Sequence, residues 1–555
     1  MELWRQCHSI EEIRRACIYG SYALVDGRLR KTVGIRQDGF DDTPRVQNLD
    51  ATPSPYLMGY LDEFLQDPAL GPIMEGNRGC PFACTFCVDG IAARTKVKKA
   101  TVERLRAEIE YIADRYNGQN LMIADTNFGM YPDDVEFCKV LARTRERYGY
   151  PQNVIASTGK NRQELILQCA EILGGALRID AAVQSMDDEV LRNIKRRVIS
   201  YQGLVSLSQR ASGTESNTFT EVILALPGDS KVRHWESVCR LVDTGLNQIR
   251  IHTLMILEGS EFATDRERAK WRMKTRFRVI PRCFGAYEFG PERLRSVEIE
   301  EVCVESDTMP FEDFVECRRL ALTVTLFYND RVFAEIAALV KLLGWKVSDW
   351  LLFVHESLPP HLAGLRSVYD DFVAQTVGEL WESRDALERR IKREDGVIEQ
   401  YIRGDAGNNV LLTNQARVYQ NHIDELNEAA FHCTREFLKS SGHGGNAVSD
   451  DYLRQLELYS LWKKKGLMDL DTDYELEMNY DFVALEQAGF AEIPARQIPT
   501  TVRFTYLPWQ KDLLGDQLRR FGASLPGWGK ILSRIPIKKM HRRSVYAQER
   551  VTAVA

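Results

Sequence analysis

Three cysteines stand close together in Cys80-Pro81-Phe82-Ala83-Cys84-Thr85-Phe86-Cys87, with gaps of three and two residues. The 555-residue chain has 12 cysteines. Chance places two more at fixed offsets from any of them with a probability of about half a per cent. Three thiolates on one short loop suit a metal centre that keeps one position for something other than protein. Structural zinc takes four protein ligands. A 4Fe–4S cluster normally takes four cysteines, and one iron can stay open for a small molecule. The residues alone leave two readings: an open iron–sulfur cluster, or a zinc site completed by a distant His or Cys.

The elements around the loop alternate. Residues 101–116, 132–149, 162–176, 187–196 and 231–245 place apolar side chains at helical spacing. Residues 120–129, 153–161, 177–185, 219–230 and 247–257 read as short apolar strands closed by polar or turn-forming residues. Repeated strand–helix units over about 73–290 predict a parallel sheet with helical crossovers. In such folds the functional side chains gather at the C-terminal ends of the strands. Those ends here are Asp125, Thr126 and Asn127, then Ser157 and Thr158, then Gln184 and Ser185. Lys195 and Arg196 follow on the next helix. Each strand-end Asn or Ser also has an ordinary reading as a cap or turn former. His234 and His252 are candidate general bases, beside the commoner structural role of a lone His.

The cysteine spacing, with Phe86 before the third cysteine, resembles the signature of the radical S-adenosylmethionine (SAM) superfamily. That resemblance implies an α/β fold: a partial (β/α)6 TIM-like barrel, with a helical C-terminal extension and a small α+β terminal region. It implies a 4Fe–4S cluster on Cys80, Cys84 and Cys87 whose open iron chelates the SAM amino and carboxylate groups. One electron then splits the sulfonium bond, and a 5′-deoxyadenosyl radical takes hydrogen from substrate. The resemblance also implies roles for cofactor-binding residues. Asp125, Thr126 and Asn127 hold the place that meets the SAM amino group. Ser157 faces the site, Gln184 and Ser185 hold the ribose or methionine part, and Lys195 and Arg196 pair with the carboxylate. Val222 to Leu226 pack against adenine, and Leu254 sits on the sixth strand. Cys283, Cys303 and Cys317 lie beyond that strand. Cys283 and Cys303, with His252, are the catalytic candidates, a cysteine there acting as hydrogen donor to a substrate radical.

Longer stretches narrow the resemblance. LDATPSPYLMGYLDEFL (49–65), EGNRGCPFACTFCVDG (75–90), ADTNFGMYPDD (124–134), STGKN (157–161), AVQSMDDEVLRNIKR (182–196) and ESDTMPFEDFVECRRLALTVTLFYN (305–329) are together similar to cobalamin-associated radical SAM proteins. Such proteins usually carry a cobalamin-binding domain before the barrel. Here fewer than 50 residues precede the matching stretch, and the cobalamin motif Asp-x-His-x-x-Gly is absent. Residues 23–34 look like the hairpin that follows such a domain, turning at Asp26-Gly27. Cobalamin is therefore not expected in this chain.

The expected organisation is an N-terminal linker and hairpin over 1–50, the barrel over 51–305, a helical domain over 306–440, and an α+β region over 441–555. A Gly/Ser-rich linker covers 440–451. The stretches 474–485 and 500–509 read as strands, and the basic tail from 530 to 550 reads as a solvated amphipathic terminal helix. Hydrophobic residues make up 44% and charged residues 27%, with a net charge of -6. Nothing in that balance points to nucleic acid or membrane. No secretory signal pattern opens the chain, so a cytoplasmic enzyme is expected. The expected partners are a small-molecule substrate, such as a sugar or natural-product intermediate, and a one-electron reductant such as flavodoxin or ferredoxin. The alternatives are a cobalamin-requiring methyltransferase, a tRNA or protein modifier, and an iron–sulfur scaffold or electron carrier.

Overall fold

The computed structural model describes residues 48–67, 70–159, 161–177, 179–180, 182–197, 200–212, 218–440 and 448–548, with short stretches before residue 48. The chain divides into two compact units, residues 1–83 with 89–157 and residues 84–88 with 158–555. The division falls inside the cysteine motif: Cys80 belongs to the first unit, Cys84 and Cys87 to the second.

In the first unit, β1 (Tyr22–Val25) and β2 (Arg28–Lys31) pair antiparallel, with Val25 opposite Arg28. This is the expected hairpin, though its turn residues Asp26 and Gly27 lie outside the described residues. Next come β3 (Ile73–Met74), β4 (Asn77–Arg78), β5 (Lys98–Lys99) and α1 (Val102–Ala113). Thr101 starts α1 by accepting the Arg104 N–H on its side chain, and Leu105, Ile109 and Ile112 are buried. Full burial of each such side chain contributes about 1.5–3 kcal/mol. Then follow β6 (Asn120–Phe128), α2 (Pro132–Tyr148) and β7 (Asn153–Thr158), with sheet order β3-β6-β7. Strand β6 buries Leu121, Ile123, Asp125 and Asn127. A strand alternates faces every residue, so its two polar residues follow the apolar ones into the interior.

The second unit continues with α3 (Gln163–Ile172), β8 (Ile179–Asp180), α4 (Asp188–Asn193), α5 (Tyr201–Ser212), β9 (Thr218–Leu224), α6 (Lys231–Asp243) and β10 (Gln248–Thr253). Strands β8, β9 and β10 form a parallel sheet with β9 central, and Thr253 stands opposite Leu224. The strand–helix alternation expected from the sequence is present, with parallel pairing in both units. A long antiparallel hairpin then follows, β11 (Lys274–Phe289) and β12 (Glu292–Glu305), with a register shift between Val279 and Phe284. It was not expected. Its Val279 and Ile299 pack with Leu387, Ile391, Val397 and Ile398.

Helix α7 (Phe311–Thr323) runs directly into a π-helical turn at Val324–Tyr328. Tyr328 donates its hydroxyl to the carbonyls of Val242 and Leu246. Asn329 takes the Ile249 N–H at 2.8 Å and gives its own N–H to the Ile249 carbonyl at 2.9 Å. This turn therefore clamps the N-terminal end of β10. Helices follow through Ser440, and a further helix, Asp450–Lys464, lies beyond the expected helical stretch. Of the expected linker, residues 441–447 lie outside the described residues.

The terminal region is a sheet of β13 (Tyr474–Met478), β14 (Thr500–Thr505) and β15 (Arg543–Tyr546), antiparallel throughout. This corrects the expected terminal helix. The tail forms a helix only over Leu525–Leu532 before it becomes a sheet edge. Arg542 explains the difference: it is fully buried and donates to the carbonyls of Lys465, Gly466, Asp469 and Thr472. Those bonds tie the tail to the interior, where a solvated helix would leave the carbonyls unmet.

Candidate functional site

In the first unit the residues around Cys80 are held from β6. Thr126 donates to the Gly79 carbonyl at 3.1 Å, and Asn127 donates to the Cys80 sulfur at 3.3 Å. The Cys80 N–H donates to the Arg94 carbonyl at 3.0 Å. Gly79 has φ +106, and a Cβ there would lie 2.8 Å from the Lys96 carbonyl oxygen, so only glycine fits. Asp125 accepts the Gly76 N–H and the Asn77 side-chain N–H, both at 2.7 Å. Burial pushes its carboxyl up to about 6, although both donors pull the other way. Asn77 also donates to Asp134 at 3.0 Å. Burial raises that carboxyl too.

In the second unit, Cys84 is buried and Cys87 half-buried. The Cys87 N–H donates to the Cys84 carbonyl, and the Thr85 N–H donates to the Ile194 carbonyl. Phe86 packs against a cluster that includes Val190, Ile194, Leu226, Leu254, Phe262 and Cys303. Arg196 donates to the Cys84 sulfur at 3.7 Å and to the Ala182 carbonyl. Its Nε is buried with no hydrogen-bond partner. Gln184 takes φ +68 and bridges to Val222, leaving its side-chain oxygen buried and likewise without a partner. Ser185 accepts the Asp187 N–H at 3.1 Å and lies 3.4 Å from the Ser237 hydroxyl.

Other expected residues are placed less centrally. Ser157 is exposed and Thr158 buried. Lys195 is half-exposed and paired with Glu261 at 2.6 Å. Leu254 belongs to the apolar cluster behind Phe86. His252 lies 3.5 Å from Glu221. Burial raises that carboxyl, but His252, Arg250 and Arg196 outweigh it and hold it below its ordinary value. His234 is buried against Asp229 at 3.3 Å. Cys283 is exposed on β11. Cys303 is buried, donates to the Glu305 carbonyl, and burial pushes its thiol up to about 12.

Sequence reasoning missed Asn77, whose signal was an Asn two residues before the glycine of the loop. It also missed a buried ionic group at the end of β10. Arg278 donates to Glu300, to Glu379 at 2.7 Å and to Thr253 at 2.9 Å. Arg318 is buried beside it, and burial with the repulsion of Arg278 lowers it to about 10. No spacing pattern signals this group, because the hairpin brings its members together.

Among the described residues, no group of three or more His, Cys, Asp or Glu side chains is arranged to hold a metal ion. The fit of a cluster therefore rests on the donor chemistry. Two buried cysteine sulfurs each receive an N–H, one from Asn127 and one from Arg196. Such bonds stabilise a sulfur that carries negative charge.

Residues 74–242 match the sequence model of the radical SAM superfamily. The chain carries a radical SAM domain. Over those residues the chain is similar to the radical SAM superfamily. The cobalamin-dependent radical SAM methyltransferase TokK of Streptomyces tokunonensis is 29% identical over 294 residues, 51% of this chain and 42% of TokK. The 2-(S-pantetheinyl)-carbapenam-3-carboxylate methyltransferase of Streptantibioticus cattleyicolor is 28% identical over 332 residues, 57% of this chain and 47% of that one. The chain thus spans about half the length of the curated relatives it matches. Among solved structures, the cobalamin-dependent enzyme OxsB aligns at a TM-score of 0.33 and 11% identity, over 78% of this chain and 64% of OxsB. TsrM from Kitasatospora setae aligns at 0.33 and 12%, over 40% and 42%. Scores this low carry no argument. No helix among the described residues is long and apolar enough to cross a membrane.

Proposed function

We propose that this radical SAM domain cleaves SAM reductively at a cluster held by Cys80, Cys84 and Cys87, and acts on a small-molecule substrate. The observation that carries the reading is the pair of N–H donors on sulfur, Asn127 on Cys80 and Arg196 on Cys84, both inside the matched domain. The cluster and SAM, when bound, supply a 5′-deoxyadenosyl radical that removes hydrogen from the substrate. The chain supplies position and dryness. Burial of Cys80 and Cys84 keeps water from the sulfurs. The Gln184 side-chain oxygen and the Arg196 Nε are buried and unmet, and are assigned as acceptor and donor for polar groups of SAM. Ser157, Ser185, Lys195 and Leu254 are assigned as further contacts. Asp125 and Thr126 act through the loop that they hold, as positioning residues. A partial barrel over 51–305, and a flavodoxin or ferredoxin as reductant, belong to the same reading.

A second reading is cobalamin-dependent methyl transfer, favoured by the likeness to TokK, with the carbapenam methyltransferase supporting methyl transfer alone. The test is anaerobic reconstitution followed by electron paramagnetic resonance with and without SAM. The reduced cluster signal should shift on adding SAM, and 5′-deoxyadenosine should form in wild type and vanish in Cys84→Ala. An unchanged signal, or turnover in a clean Cys84→Ala sample, would overturn the proposal. One cobalamin retained per chain after gel filtration would favour the second reading.

A further inference from the structure

In the second unit, β9 lies beside β10 with Phe219 opposite Gln248, Glu221 opposite Arg250 and Ile223 opposite His252. Side chains alternate between the faces of a strand, so these six share one face. The other face carries Thr220, Val222, Leu224, Ile249 and Ile251, all buried. Parallel sheets are ordinarily covered on both faces and apolar throughout. This sheet departs from that on one face, at residues of opposite charge.

The two charges stand side by side without closing on each other. Arg250 leans back along the sheet, its guanidinium 4.4 Å from the Phe219 ring centre and its Nε donating to Gln248 at 2.9 Å. Among the described residues it joins no ion pair. Glu221 turns instead to His252, at 3.5 Å. Burial works against its charge, but His252, Arg250 and Arg196 outweigh burial, so the group is a carboxylate. Arg196 also donates to the Cys84 sulfur, so this face adjoins the cysteine loop. The Arg250 head lies at the level of Phe219 and the carboxylate at the level of Glu221. Those levels are two residues apart, about 7 Å along the strand.

The face is open to a ligand. The Glu221 side chain keeps 28% of its exposure and His252 53%. Phe219 and Ile223 supply an apolar floor between the polar groups. A simple anion on Arg250 meets the repulsion of Glu221, and a simple cation on Glu221 meets that of Arg250. A molecule with both charges satisfies both residues. An ammonium and a carboxylate on one carbon, each with a hydrogen bond of about 2.8 Å to the protein, span a gap of this size.

We propose that Glu221 and Arg250 bind a free α-amino acid, or a small molecule with the same zwitterionic head, as the substrate of this site. Glu221 takes the ammonium, Arg250 takes the carboxylate, and His252 is the positioning residue for Glu221. That the bound molecule is what the radical acts on rests on the reading given under Proposed function; the binding itself does not.

The test titrates the full chain with L-valine, 3-methylbutanoate and L-valinamide, read by saturation-transfer NMR. The second probe lacks the ammonium and the third lacks the carboxylate. L-Valine should bind with a Kd below about 5 mM, at least about tenfold more tightly than either of the others. That comparison needs no variant. Glu221→Gln should bring L-valine to the level of 3-methylbutanoate, and Arg250→Gln to the level of L-valinamide. Binding should survive in Cys84→Ala, which separates this site from the amino acid end of SAM at the cluster. L-Valine no tighter than the other two probes, affinity unchanged in either Gln variant, or binding lost in Cys84→Ala would each overturn the proposal. Absent binding beside an intact SAM-dependent spectral shift overturns this inference alone, and binding without that shift overturns the radical reading alone.

Discussion

Replacing Asp125 with Asn isolates the buried carboxyl beside the cysteine loop. Asp125 is 2% exposed. Burial lifts its carboxyl from 3.8 to about 6 against the pull of Asn77 and Gly76. At 1.36 kcal/mol per pH unit that gap corresponds to about 3 kcal/mol. The sign follows from proton counting. Between about pH 4 and 6 the closed structure holds a proton that the opened chain has released. Stability is then fully present below pH 4, falls as pH rises through 6, and is level above. The assay is amide exchange of peptides covering Gly76 to Cys80, corrected for intrinsic rates, from pH 4 to 7.5. The wild-type opening free energy should fall by up to about 3 kcal/mol over that range. The Asp125→Asn curve should fall less steeply than wild type, keeping only the slope of Asp134, whose carboxyl burial also raises. Two parallel curves, or a difference of the opposite sign, would refute the reasoning.

Gly79→Ala drives a Cβ to 2.8 Å from the Lys96 carbonyl oxygen at φ +106. The strain, about 2–4 kcal/mol, should leave less than half the wild-type iron after reconstitution, and full iron content would contradict it. Native alkylation with N-ethylmaleimide at pH 8 should label exposed Cys283 within minutes and spare Cys303, which is buried and pushed up to about 12. Rapid labelling of Cys303, read by mass spectrometry, would contradict its burial.

The cysteine loop and the strand–helix alternation were legible because each rests on local pattern. Residues 219–224 and 248–253 are apolar enough to be read as strands, and they pair in parallel. Asp125 and Asn127 were found as strand-end residues, but their duty to the loop was not, since it depends on Gly76, Asn77 and Cys80 folding back 47 to 49 positions. The hairpin over 274–305 was overlooked although its second strand alternates and Gly290 marks its turn; its Arg and Glu side chains resemble a solvated face until Arg278 is seen half-buried between Glu300 and Glu379. The tail misled in the same way. Its basic residues look solvent-facing in sequence, yet Arg542 is fully buried. Long-range satisfaction of carbonyls and charges, rather than periodicity, decides both cases.

Phe86 sits among Ile194, Leu226, Leu254 and Phe262, in the same interior that closes around Cys303. Its neighbour Thr85 is bound through the backbone to Ile194 and Phe262. Exposing Cys84 and Cys87 widely would mean withdrawing that aromatic ring and breaking those bonds. Under the proposed cluster reading, maturation becomes a matter of timing: delivery of iron and sulfide would be easiest to a nascent chain whose interior has not yet closed. Chains that fold first should load slowly, and mild loosening of the Phe86 interior should speed loading at the cost of thermal resilience.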